Sequence, residues 1–127
     1  MSKKTEVWSM SITGGKLFTL NTERGWHHHK RAKHVKEWRQ ASCVVASEMK
    51  MPKMEEIEVT FIPYKLNRKH MADTGGHFPI AKACIDGLID AGVIEDGGPD
   101  VVTSLTFKSP YVYGGEDKAV MLVKKVS

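Results

Sequence analysis

Hydrophobic residues alternate with polar ones in four segments of the chain. Alternation is typical of strands, because successive side chains of a strand point to opposite faces of the sheet. The four predicted strands are EVWSMSI (6–12), EEIEVTFIPY (55–64), DVVTSLTF (100–107) and KAVMLVKKV (118–126). Between the last two, the segment SPYVYGGEDK predicts a hairpin connection.

Two other segments repeat their apolar residues at steps of three and four, which is the spacing of an amphipathic helix. The first runs from about Lys30 to Met49, and Pro52 is expected to end it. The second has Pro79 in its first turn and Gly92 as its expected C-terminal cap. The segment TGGKLFTLNTERG (13–25) is rich in turn-forming residues and is interpreted as a loop.

The order strand, helix, strand, helix, strand, strand predicts one α+β domain over residues 1–127, a mixed sheet with both helices on one face. No apolar run approaches the roughly 20 residues that span a bilayer. The segment MSKKTEVW lacks the apolar core of a signal peptide, so we expect a cytoplasmic protein without a membrane partner. Cys43 and Cys84 lie within the helical patterns and are expected to be buried, reduced thiols.

Positive charge is concentrated in one part of the chain, whose net charge over 127 residues is +4. The segment RGWHHHKRAKHVKEWR carries six cations and one acid, and the cations are Arg24, Lys30, Arg31, Lys33, Lys36 and Arg39. From Asp73 onwards the chain is acidic until Lys124. This distribution indicates a polyanion held near a carboxylate site; a solvated helix face explains the same charges equally well.

Acidic residues and one lysine surround the second predicted helix. Lys82, Asp86 and Asp90 follow one another at steps of four, while Asp73 precedes the helix and Asp96 follows it. Carboxylate oxygens suit Mg²⁺, which promotes phosphodiester hydrolysis, and a nearby lysine stabilises charge on the phosphate. A helix of about 12 residues is about 18 Å long, so both flanking loops must fold back to bring Asp73 and Asp96 together. The alternative is an ordinary solvated surface.

Three consecutive histidines, His27 to His29, precede the first predicted helix, which carries the basic residues. Neighbouring residues point about 100° apart on a helix, so we expect that these three side chains do not converge on one ion. They are interpreted as phosphate or base contacts, or else as a solvated helix start. Trp26 is either a base-stacking residue or part of the core, whereas Trp38 is expected in the core.

The chain resembles the RusA family of Holliday junction resolvases, small dimeric endonucleases of phages and prophages. The resemblance rests on LNTERGW, on EWRQA, and above all on KACIDGLIDAGV (82–93) followed by IEDGGPDVV. It implies a homodimer that uses Mg²⁺ to cut branched DNA during recombination and repair.

The family's active site combines an Asp-x-Asp-Asn loop, a helical lysine and an Asp-Asp pair. The resemblance therefore implies catalytic roles for Asp73, Lys82 and Asp96, and metal binding by Asp73, Asp86 and Asp96. Glycine stands at three other positions of the pattern, namely Gly75, Gly76 and Gly97. Two alternatives stay open: a branched-DNA-binding protein without nuclease activity, and a phage structural or protein-interaction module.

Overall fold

The computed structural model describes residues 6–69 and 71–126. This part of the chain contains five strands and three helices. The predicted α+β class is confirmed, with one mixed sheet and helices packed against it. The elements, in chain order, are β1 (Val7–Ile12), α1 (Leu20–Arg24), α2 (His28–Glu48), β2 (Ile57–Lys65), α3 (Phe78–Asp90), β3 (Val102–Phe107), β4 (Tyr111–Val112) and β5 (Lys118–Lys125). Among these helices, none has the length and apolar character needed to cross a membrane.

The strands of the sheet follow the order β1–β5–β2–β3, and β4 pairs with the end of β2. β2 is antiparallel to β5 and parallel to β3 and β4. The hairpin predicted between the last two long strands is wrong, because β2 lies between β3 and β5. After β3 the chain continues along β2, where Tyr111 stacks on Tyr64 with ring centroids 5.5 Å apart.

One face of the sheet is buried. The register places Met10 opposite Met121 and Met121 opposite Phe61, and all three side chains are fully buried. Helix α2 contributes Trp38, which is also fully buried, as expected from its place in the apolar stripe. Helix α3 buries most of its residues: Pro79, Ile80, Ala81, Ala83, Cys84, Ile85, Gly87 and Leu88.

The segment interpreted as a loop contains the short helix α1. Thr19 has an extended backbone and its side chain accepts a hydrogen bond from the backbone N–H of Thr22 at 3.1 Å, which caps the helix. The helix ends at Gly25 after five residues. Such a helix is too short to produce a recognisable hydrophobic period, so its capping threonine is the only local sign of it.

Helices α2 and α3 approach closely at Gly87. The Ser42 hydroxyl donates a 2.7 Å hydrogen bond to the carbonyl oxygen of Cys84. A Cβ atom added to Gly87 would lie 2.5 Å from the carbonyl oxygen of Arg39 and 2.7 Å from the Ser42 Cβ. Both distances are far below van der Waals contact, so the helices can only approach in this way because residue 87 has no side chain.

The two long helices end in the same backbone motif. After α3, the expected cap Gly92 has φ +77°, and the N–H of Val93 donates to the carbonyl of Leu88 at 2.9 Å. After α2 the corresponding residue is Lys50, with φ +53°, and the N–H of Met51 donates to the Ala46 carbonyl. Helix α2 therefore ends four residues before Pro52.

Replacing Lys50 by glycine is expected to raise the free energy of unfolding by about 1 kcal/mol, because a side chain in the left-handed region is strained and glycine is not. Urea unfolding followed by circular dichroism measures the change. Gly92→Ala is the matched control: no atom lies within 4 Å of its added Cβ, so it tests the backbone effect alone and is expected to destabilise by a similar amount. A less stable Lys50→Gly variant would contradict the argument.

Both cysteines are free thiols, and they differ in burial. Cys84 is fully buried, and burial raises the pKa of its thiol, which keeps it protonated and unreactive. Cys43 is half-buried, so full burial was predicted correctly only for Cys84.

Candidate functional site

Two clefts lie side by side near the start of α3 and share Thr19 and Thr22 of the α1 segment. The larger, with a volume of about 740 Å³, is called the lysine cleft; its charged and titratable lining residues are Lys16, Lys65, Lys69, His77, Glu116 and Asp117. The smaller, of about 350 Å³, is called the Asp73 cleft and is lined by Arg24, Met71, Ala72, Asp73, Gly76 and residues 19–22.

The walls of the lysine cleft are joined by the Asp117 carboxylate. One oxygen accepts a hydrogen bond from the N–H of Leu17 at 3.1 Å, and the other from the N–H of Leu66 at 3.2 Å. These amides belong to the β1–α1 connection and to the residue that follows β2. A single side chain before β5 therefore fixes two separate chain segments around the cleft.

Two of the three buried polar residues in the described part of the chain line this cleft. Lys65 is 7% exposed and His77 is 2% exposed, while the third, Ser42, lies between the helices. Nδ1 of His77 is 2.8 Å from the carbonyl oxygen of Phe18, and Nε2 has no hydrogen-bond partner. Since a carbonyl oxygen only accepts, Nδ1 carries the proton of this bond.

The environment of His77 favours its neutral form. Burial is the main cause that lowers the pKa of the imidazole, and the positive charge of Lys65 lowers it further. The hydrogen bond to the Phe18 carbonyl and the charge of Asp117 act in the opposite direction and do not outweigh the first two. With Nδ1 protonated and the ring neutral, Nε2 is a hydrogen-bond acceptor.

The lowered pKa of His77 predicts a pH-dependent stability. Below the ordinary pKa of 6.5, the imidazole of His77 binds a proton in the unfolded chain more readily than in the folded chain. The contribution of His77 to the free energy of unfolding is therefore fully present above pH 6.5 and is lost as pH falls through the pKa of the folded chain. The stability advantage of the wild type over His77→Gln is therefore expected to shrink between pH 7 and pH 5 in urea unfolding experiments. His28→Gln, at an exposed position, is the control; an advantage that stays constant with pH would contradict the prediction.

The Asp73 cleft brings together two residues predicted from the sequence, Asp73 and Arg24. The Asp73 carbonyl accepts a hydrogen bond from Gly76 N–H at 2.8 Å, which closes the loop before α3 into a turn. The carbonyl of Gly76 then accepts from Leu20 N–H at 3.3 Å, so this loop is tied to α1. The turn and α1 thus hold a carboxylate and a guanidinium on one cleft.

The remaining residues of the predicted acidic site lie outside both clefts. Lys82 Nζ pairs with Asp86 Oδ1 at 2.7 Å along α3. One oxygen of Asp96 accepts a hydrogen bond from the backbone of Gly98 at 2.6 Å. The ligand atoms of Asp73, Asp86 and Asp96 do not lie within 4.8 Å of one another. This donor set does not fit an Mg²⁺ ion bound by three carboxylates.

The predicted DNA-binding cations divide into one that is engaged and five that are exposed. Arg39 donates two hydrogen bonds, of 2.6 and 2.8 Å, to Asp90 on α3. This pairing raises the pKa of Arg39 and lowers the pKa of Asp90. The exposed cations form no ion pair within residues 6–69 and 71–126; they are Arg24, Lys30, Arg31, Lys33 and Lys36.

Trp26 has a mixed environment between α1 and α2. Its ring packs against Phe18 at 5.0 Å and His34 at 4.6 Å between centroids, and it is partly buried against the core. The ammonium of Lys30 lies 4.9 Å from the centre of the Trp26 ring. The indole therefore stabilises the Lys30 ammonium, one of the exposed cations, through a cation–π contact.

The expectation that the three histidines cannot converge is wrong. His27 is the N-cap of α2 with ψ +146°, so it lies outside the helical geometry on which that expectation was based. The ligand atoms of His27, His28 and His29 lie within 4.8 Å of one another, and this is the only such group of three metal-ligand residues in the described part of the chain. All three side chains are exposed.

Lys65 and His77 were not among the residues predicted to form the site. A signal existed for Lys65, since it follows Ile57, Val59, Phe61 and Pro63 on the inward-facing positions of β2, where a lysine is unusual. No local pattern marks His77. Its role depends on Phe18, which is 59 residues away in sequence.

Comparison with known proteins adds no assignment, because no protein-family model and no curated protein matches the sequence.

Proposed function

We propose that this chain is a RusA-like protein that binds branched DNA through the basic start of α2 and the two adjoining clefts. The observation that carries the proposal is the position of Arg24 and Asp73 on one cleft, next to the lysine cleft and close in sequence to the cations of α2. A homodimer would match the two-fold symmetry of a four-way junction. The setting that the resemblance suggests is phage recombination in the host cytoplasm.

The charge arrangement supports contact with the DNA backbone. Exposed lysines and arginines without acidic partners release counterions when they neutralise phosphates, which gives affinity without sequence readout. Lys30, Lys33 and Lys36 lie within an arc of about 120° on α2, so they can contact one strand. Arg39 is not part of this surface, because its guanidinium is bound to Asp90.

Mg²⁺-dependent cleavage of the same DNA is the second candidate function. It is favoured by the position of Asp73 and Arg24 on one cleft, where a carboxylate and a guanidinium both face the same space. Mg²⁺ is often held by one or two carboxylates together with substrate phosphates, so Asp73 is the residue that would hold it. The bound ion would supply the positive charge that polarises a phosphate. The carboxylates of Asp86 and Asp96 are not assigned to this ion.

A labelled four-way junction tests both candidates in one series. Binding is measured by gel shift in EDTA, and cleavage is measured after adding Mg²⁺. We expect junction binding that weakens with salt, and cleavage that Asp73→Asn reduces by at least about 100-fold while binding changes little. Binding without cleavage would leave only the first function, and absence of binding at low salt would refute both. Sedimentation equilibrium with and without the junction tests the homodimer.

Glycine stands at two positions where the RusA pattern has an aspartate, and variants at these positions provide a second test of cleavage. Gly97 accepts a side chain easily, since the nearest atom to its added Cβ is Ile85 Cγ2 at 3.9 Å. Gly75 has φ +86°, so an aspartate there is strained. Gly97→Asp is therefore the variant to compare, with Gly97→Ala as its control. If Gly97→Asp cleaves the junction faster than the wild type and Gly97→Ala does not, the result would support a cleavage site whose activity is reduced by the missing carboxylate.

A further inference from the structure

Two residues of the lysine cleft, Lys65 and His77, are largely buried and keep hydrogen-bonding capacity that the fold does not use. Lys65 is nearly buried and forms no ion pair in the described part of the chain, and His77 Nε2 has no hydrogen-bond partner. Burying an imidazole acceptor without a partner costs free energy. Both residues line one cleft, which indicates that the Lys65 ammonium and Nε2 of His77 serve a ligand, while Nδ1 of His77 serves the fold.

The chemistry of the two groups defines the ligand. Lys65 provides a positive charge and N–H donors, and Lys16 and Lys69 on the same cleft add to it, so the ligand carries an anionic group. His77 is fixed by its hydrogen bond to Phe18, which leaves Nε2 as an acceptor, so the ligand also carries an O–H or N–H donor. A phosphate attached to a sugar and base has both features.

We propose that the lysine cleft binds one nucleotide, its phosphate at Lys65 and a sugar hydroxyl or base N–H at Nε2 of His77. A cleft of about 740 Å³ is within the usual range for small-molecule sites. Nε2 is buried beneath the lining, so this contact requires a neighbouring side chain of the cleft to move aside. The inference goes beyond DNA-backbone binding on α2 and does not depend on cleavage.

Acidic residues on the cleft do not cancel its positive charge. Three lysines face two carboxylates, Glu116 and Asp117. The Asp117 carboxylate already accepts hydrogen bonds from two backbone amides, so it is held in the wall as a structural group. The lining is therefore net positive at neutral pH, with the imidazole of His77 uncharged.

Calorimetric titration of the full chain with thymidine 5′-monophosphate tests the proposal. We expect one nucleotide per chain, and at least about a tenfold weaker affinity for Lys65→Met, equivalent to about 1.4 kcal/mol. Lys53→Met removes the same charge from an exposed position outside the cleft and is expected to bind as the wild type does. Absence of nucleotide binding, or equal weakening in both variants, would overturn the proposal.

The second measurement uses the wild type and so does not depend on whether a variant folds. In ¹⁵N-histidine-labelled protein, the nucleotide is expected to shift the His77 Nε2 resonance and leave Nδ1 nearly unchanged, while inorganic phosphate shifts neither. An unchanged Nε2 resonance at nucleotide saturation would refute the site as proposed. No junction is present, so failure of DNA binding cannot be mistaken for failure of this site.

A 5′-phosphorylated trinucleotide distinguishes the source of the ligand. If it binds more tightly than thymidine 5′-monophosphate, the cleft receives the end of a DNA strand; if it binds more weakly, the cleft receives a free nucleotide. Both outcomes support the site, and the same trinucleotide without the 5′-phosphate is expected to bind at least about tenfold more weakly. Equal affinity with and without the phosphate would contradict the role of Lys65.

Discussion

Replacing Gly87 by valine is expected to lower the free energy of unfolding by about 3 kcal/mol or more, a large part of the 5–15 kcal/mol of a typical domain. The new side chain would meet the Arg39 carbonyl and Ser42, whose distances to the Cβ position are 2.5 and 2.7 Å. Backbone atoms of α2 cannot turn aside, so the two helices must separate. Urea unfolding followed by circular dichroism gives the free energy.

The control for this prediction is Gly97→Ala, where the closest neighbour of the added Cβ is 3.9 Å away and little change is expected. Gly87→Ala is also informative, because alanine at an exposed helix position usually stabilises by up to about 1 kcal/mol relative to glycine. A stabilised Gly87→Ala variant would show that α2 and α3 are not in close contact at this point.

Replacing Lys30, Lys33 and Lys36 together by glutamine is expected to weaken junction binding by about 100-fold at low salt. Each phosphate contact contributes about 0.9 to the slope of log affinity against log salt, so the slope should fall by about 3. Fluorescence anisotropy with a labelled junction across a salt series measures both values. Loss of affinity with an unchanged salt slope would argue against direct phosphate contact.

Arg39→Gln is the matched control on the same helix. Its guanidinium is bound to Asp90, and both side chains are partly exposed, so the variant is expected to lose less than about 1 kcal/mol of stability. Its effect on junction binding should be small. Arg39→Gln removes one positive charge and the triple variant removes three, so a loss of log affinity one third as large as that of the triple variant would show that net charge alone explains the binding.

Hydrophobic periodicity predicted the long elements well, because their side-chain patterns are local. The alternation in β2 and the repeat in α2 are each determined by which face is buried. The two short elements, α1 and β4, have five and two residues and leave no period. The strand order was also not predictable, since β2 lies between β3 and β5 through pairings between distant segments.

The candidate site was predictable only in part, for the same physical reason. The Asp73 loop and the cations of α2 are visible as charge patterns, and the structure places Asp73 and Arg24 on one cleft. The lysine cleft depends on contacts between distant residues, such as Asp117 with Leu17, 100 positions apart. The histidine triplet was misjudged because the first of the three lies before the helix.

The wall that separates the two clefts has a thermodynamic consequence. Thr19 and Thr22 face both clefts, and α1 is tied to the loop before α3 through Leu20 and Gly76. A molecule that moved Thr19 or Thr22 from one side would alter the lining of the cleft on the other side. By linkage, any change in affinity produced in this way would be equal in both directions.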